Sequence, residues 1–120
     1  MRVVTFGAGT QTECYVSVLP GEAGGLAPNL NRWRGQLGMG PLDEAGIAAL
    51  PKLKLFGQDV PIVEAAGTYG DMQGQTHQGY AMLGAIGRKG DSSVFVRMIG
   101  PEAEVKAERE RFIFFAGTLK

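Results

Sequence analysis

The residues best equipped for recognition lie together in Asn29-Leu30-Asn31-Arg32-Trp33-Arg34-Gly35-Gln36. The guanidinium forks of Arg32 and Arg34 and the amides of Asn29 and Asn31, with Gln36 beside them, fan out around Trp33. Such a set can grip a carboxylate, a phosphate or a partner's backbone. The plainer reading is structural: Arg34 folds beside Trp33, and the Asn side chains tie the helix to neighbouring loops. Cys14 and His77 suggest a nucleophile–base pair. Against it, Cys14 shares a strand face with Val16 and Val18, where a free cysteine behaves as a small hydrophobe. His77 stands in a polar, Gly-rich stretch and reads as solvated. Glu64 interrupts the apolar run Val60 to Ala66 and either points to solvent or lines a cleft with a raised pKa. Glu108 falls inside the stripe of the last helix, expected at its rim beside Arg111, with Arg97 as the alternative partner.

A Gly-rich turn near the start invites a further proposal. Val3-Val4-Thr5-Phe6-Gly7-Ala8-Gly9-Thr10 looks like the opening of a dinucleotide-binding unit. That motif needs a third glycine and a following helix to hold the pyrophosphate. Thr12 occupies the third position, and Glu13 to Leu19 alternates like a strand, so a β-hairpin is expected with residues 7–12 as its loop.

These residues must be positioned by an ordered set of elements. Strands are expected over 2–6 and 13–19. A helical stripe follows at Leu26, Leu30, Trp33 and Leu37, with Pro28 in the first turn and Gly38 as a left-handed C-cap. A shorter helix starts at Asp43, carries Ile47 and Leu50 inward and stops before Pro51. The period then returns to two at Leu53 and Leu55, with Gly57-Gln58 as a tight turn into a strand over 59–68. Residues 70–79 read as an exposed mobile loop. Strands follow over 80–86 and 93–99, with Gly84 marking a bulge or a close packing contact. Pro101, Val105, Glu108, Phe112, Phe115 and Leu119 predict one long closing helix. Its Ile113 and Phe114 project away from the core as an exposed or covered patch. The order ββαα-ββββ-α, with connections too short for parallel crossovers, predicts an α+β fold: an antiparallel sheet sandwiched by helices.

Composition bounds the function classes. The 120 residues carry 12 Lys+Arg against 12 Asp+Glu, which fits one domain over 1–120 and excludes the basic footprint of a nucleic-acid binder. One Cys and one His exclude a disulfide framework and a His/Cys-rich metal site. No apolar run is long enough to span a bilayer. Met1-Arg2 leads straight into Val3-Val4-Thr5-Phe6 with no apolar leader. The chain therefore reads as cytoplasmic as it stands, and as exported or periplasmic if an upstream segment or leader has been lost.

The runs Val18-Leu19-Pro20-Gly21-Glu22-Ala23-Gly24-Gly25-Leu26, Asn29 to Gly38 and Tyr80 to Ile86 resemble a group of uncharacterised, mostly exported bacterial proteins. So does the closing Gly100-Pro101 helix with Phe112 and Phe115. That group is similar in fold to the PsbP-like class, an antiparallel sheet between helices. The class is chiefly non-catalytic, with an extrinsic photosystem subunit and a Ran-binding import factor as familiar members. The resemblance implies binding or assembly, no cofactor and no specific partner. Gly46 stands where a helix-capping Glu is expected, which weakens the second helix.

Three functions compete on these grounds. The first is a non-enzymatic binding domain that recognises a protein or a small anionic partner through Asn29, Asn31, Arg32, Trp33, Arg34 and Gln36, with His77 in the 70–79 loop. The second is a self-associating homodimer built on the first strand's edge and the Ile113/Phe114 surface. The third is a small enzyme with Glu64, His77 and Cys14 in one cleft.

Overall fold

Alternation along the strands sorts the apolar side chains onto two faces of one sheet. In a computed structural model, which describes residues 12–21, 25–70 and 74–119 (Tyr15 by its backbone alone) together with the backbone of 2–7, five antiparallel strands form that sheet. They are β1 (Arg2–Gly7), β2 (Glu13–Pro20), β5 (Val63–Gly70), β6 (Thr76–Lys89) and β7 (Ser92–Pro101), in the order β1-β2-β7-β6-β5. A separate ribbon pairs β3 (Lys52–Leu55) with β4 (Gln58–Pro61).

One face is covered by α1 (Leu26–Gln36) and the short α2 (Glu44–Ala48). Leu30, Trp33 and Leu37 pack there on Val63, Ala65, Met82, Phe95 and Ile99. The other face is covered by the ribbon and by α3 (Glu102–Ala107) and α4 (Arg109–Thr118). Val105, Phe112 and Ala116 meet Cys14, Val16, Leu83, Ala85, Val96 and Met98, with Leu53 and Leu55 beside them. The fold is therefore α+β, an antiparallel sheet between helical layers.

Local signals explain the boundaries. After α1, Gly38 takes φ 77, Met39 N donates to Arg34 O at 3.0 Å and Gly38 N to Gly35 O at 3.0 Å. This paired closure is a Schellman motif, and glycine accepts its left-handed residue without strain. Asp43 caps α2 by accepting from Gly46 N at 2.8 Å. Gly84 is a packing notch: a Cβ there would lie 2.4 Å from Trp33 Cζ3.

Four expectations require correction. The tight turn is Phe56-Gly57, both at positive φ, and Gln58 already belongs to β4. Such a two-residue turn matches the strand twist. The run 59–68 divides at Ile62, which places β4 in the ribbon and β5 in the main sheet. Gly70 and residues 76–79 are strand, pairing Tyr69 with His77 and Gly70 with Thr76; only 74–75 remain as described loop, and 71–73 lie outside the described residues. The closing helix is broken at Glu108, whose φ −102 and ψ 7 separate α3 from α4. The loop tip of the first hairpin, residues 8–11, also lies outside the described residues.

Candidate functional site

The α1 side chains are engaged with the protein itself. Asn29 is buried and donates to Gly25 O at 2.6 Å. Asn31 holds the chain after α1 from both ends of its amide, donating to Leu42 O at 3.1 Å and accepting from Leu42 N at 2.7 Å. Arg34 Nε donates to Gly40 O at 2.8 Å. Gln36 Oε1 accepts from the guanidinium of Arg97, a residue only 6% exposed. Trp33 sits in the Gly84 notch, edge-on to Phe95 at 6.0 Å. Arg32 alone of the set is exposed and has no partner among the described residues. The helix is thus an anchor first, and it presents one charge to water.

Its anchoring builds something further along the sheet. The Arg97 guanidinium lies 5.4 Å from the Trp33 ring and 5.8 Å from the Tyr69 ring, within cation–π range of both. Tyr69 is stacked with Tyr80 at 6.0 Å and 7° and with His77 at 5.9 Å and 26°. His77 and Tyr80 are closer still, at 4.8 Å and 20°. All three rings are half-buried. The backbone produces this convergence through Gly79, whose φ of 69 accompanies the register shift between Gly67 and Tyr69. The extra residue turns His77 to the same side as Tyr80. The result is an aromatic shelf at the β5–β6 end of the α1 face, backed by Arg97. Of the expected site residues, His77 joins the shelf, Trp33 and Gln36 support it through Arg97, and Asn29, Asn31 and Arg34 fix the helix. Tyr69, Tyr80 and Arg97 were missed by the sequence reading.

The cleft expected of an enzyme does not assemble. Cross-strand pairing sets Cys14 opposite Met98, Met98 opposite Leu83 and Leu83 opposite Glu64. Three strand spacings therefore separate Cys14 from Glu64, roughly 14 Å, with Met98 and Leu83 between them. His77 faces the other side of the sheet. Cys14 is fully buried, and burial pushes its thiol up to about 12, which suits a core residue and opposes a nucleophile. Glu64 accepts from Arg109 Nε at 2.7 Å at the protein surface. Glu108 lies 3.4 Å from Arg111, as expected at the helix rim, while Arg97 belongs to the opposite face.

Among the described residues, no group of three or more His, Cys, Asp or Glu is placed to hold a metal ion. No described helix is long and apolar enough to cross a membrane. No protein-family model, curated protein or solved structure matches the chain.

Proposed function

We propose that the chain is a non-catalytic binding domain of the PsbP-like kind, and that it meets a protein partner on the shelf of Tyr69, His77 and Tyr80. The observation that carries this reading is the stack itself: three near-parallel rings, half open to water and braced from behind by Arg97. Aromatic side chains with an arginine are the composition of interface hot spots. Half-exposed rings leave apolar area that a partner can remove from water at about 25 cal/mol per Å². A protein fits better than a small anion, because Arg34 and Arg97 spend donors on Gly40 and Gln36 inside the molecule. Arg32 supplies the solvent-facing charge of α1.

A photo-crosslinking side chain in place of His77, with a control in place of Asp91 at the far end of β6, tests the reading in cells that make the protein. One discrete adduct from position 77, lost in Tyr80→Ala while the circular-dichroism spectrum is kept, is the expected result. Identical adducts from both positions, or none from position 77, would overturn it.

Self-association is a second reading, favoured by Phe114, which is 75% exposed on α4, and by the position of β1 at the sheet edge. Ile113 does not share that exposure. It is half-buried against the core, so the expected Ile113/Phe114 patch reduces to Phe114.

A further inference from the structure

A groove of about 510 Å³ runs beside β5, the strand that closes the sheet opposite β1. Its lining comes from both faces of the sheet: Met39 packs with the cluster under α1, whereas Leu83 and Val105 belong to the cluster under α4. A groove can touch both faces only where the sheet ends, so this one opens on the outer edge of β5. Met39 walls it on one side and Val105, with the stem of Lys106, on the other.

Three observations define what fits there. First, no described strand pairs with the outer edge of β5, which leaves the outward-turned half of its backbone N–H and C=O groups without a strand partner among the described residues. Exposed edges are normally blunted by proline, lysine or inward charge. Val63-Glu64-Ala65-Ala66-Gly67 has no proline or lysine, and its one charge is held by Arg109. Second, the rim charges are matched in pairs, Glu64 with Arg109 at 2.7 Å and Glu102 with Lys106 at 3.5 Å. The rim thus selects neither an anion nor a cation, and the floor of Ala66 and Ala81 favours apolar side chains. Third, the groove floor is a surface separate from the shelf, since Ala81 packs with the core under α4 and Tyr69 and Tyr80 with the core under α1.

We infer that β5 accepts an extended, uncharged peptide segment of a protein partner as an additional strand, with apolar side chains placed in the groove over Ala66 and Ala81. Main-chain hydrogen bonds would supply affinity and the groove would read alternate side chains. The stretch from Val63 to Gly67 offers roughly 16 Å of edge at about 3.3 Å per residue. Met39 and Val105 bound the space beside this edge. A second copy of the chain would bring its own walls into the same space. The inference rests on the binding-domain reading and adds to it the partner's conformation at this edge.

The test uses a phage-displayed random heptapeptide library panned on the whole protein, with the best sequence then synthesised. Two N-methylated forms, methylated at the odd or at the even positions, block one hydrogen-bonding edge each while keeping the side chains. One of the two should bind about tenfold or more weakly, as loss of two or more backbone hydrogen bonds requires. Ala66→Trp fills the groove from an exposed position and should weaken the parent peptide by about tenfold. Amides within 63–67 should gain protection from hydrogen exchange on binding. No enriched peptide, or equal binding of both methylated forms, would overturn strand addition. Protection confined to Tyr69, His77 and Tyr80 would overturn it while leaving the shelf intact. A concentration-dependent dimer dissolved by Ala66→Trp would overturn it in favour of a second copy.

Discussion

Gly84→Ala tests the packing on which the shelf depends. The new methyl would lie 2.4 Å from Trp33 Cζ3 and 2.8 Å from Cε3. Ordinary carbon contacts are about 3.5–4.0 Å, so the pair must part by about 1 Å. The indole has little room to retreat: Phe95 stands edge-on at 6.0 Å and Arg97 lies 5.4 Å from the ring. Overpacking of this kind costs roughly 1–3 kcal/mol. Alanine returns about 0.5–1 kcal/mol through lower chain entropy in the unfolded state. Taking the middle of each range, the net loss is about 1 kcal/mol, which lowers Tm by roughly 4–5 °C for a domain of this size. Urea titration followed by the fluorescence of Trp33, the single tryptophan, and by circular dichroism measures it. Trp33→Leu removes the atoms that clash. In that background Gly84→Ala should cost at least about 1 kcal/mol less, read by circular dichroism alone. An unchanged Tm, or an equal loss in both backgrounds, would refute the notch as the reason for glycine at this position.

Asn31→Ala should destabilise by roughly 1–2 kcal/mol, since it removes both contacts to the Leu42 backbone. Arg32→Ala should change stability by no more than about 0.5 kcal/mol, and thermal melts compare the two directly. The Cys14 thiol lies at about 12 in the folded chain against an ordinary 9.0. Its contribution to stability is complete below pH 9, where both states hold the proton. It is lost as pH rises from 9 towards 12, by up to about 1.4 kcal/mol per unit, and urea titrations of Cys14→Ala should show a shallower decline over that range. Phe114→Glu should leave the melt within about 0.5 kcal/mol, and sedimentation of both proteins at rising concentration tests self-association. A shared concentration-independent monomer would remove that second reading.

Much of the architecture was legible because it is local. The stripe of Leu30, Trp33 and Leu37, the Gly38 cap, the Asp43 cap and the alternation of Cys14, Val16 and Val18 all express a period or a cap chemistry, although Leu26, expected on the same stripe, is exposed. Features that depend on partners distant in sequence were not legible. The break at Glu108 leaves Val105 and Phe112 at spacings an unbroken helix would also give. The polar composition of 70–79 concealed that 76–79 lengthen β6, whose pairing with β5 supplies the order. The structural use of the Asn-Arg-Trp-Arg stretch was legible in kind, since Asn31 and Arg34 do tie the helix to following loops. The shelf was not. His77 joins Tyr69 and Tyr80 only through the bulge at Gly79, and Arg97 reaches Gln36 across 61 positions of sequence.

A hydrogen-exchange footprint of the complex with the partner captured through position 77 tests the recognition surface most directly. Protection concentrated on Tyr69, His77, Tyr80 and their neighbouring β5 amides is the predicted result. Protection centred instead on α4 around Phe114, with β5 and β6 unchanged, would contradict it.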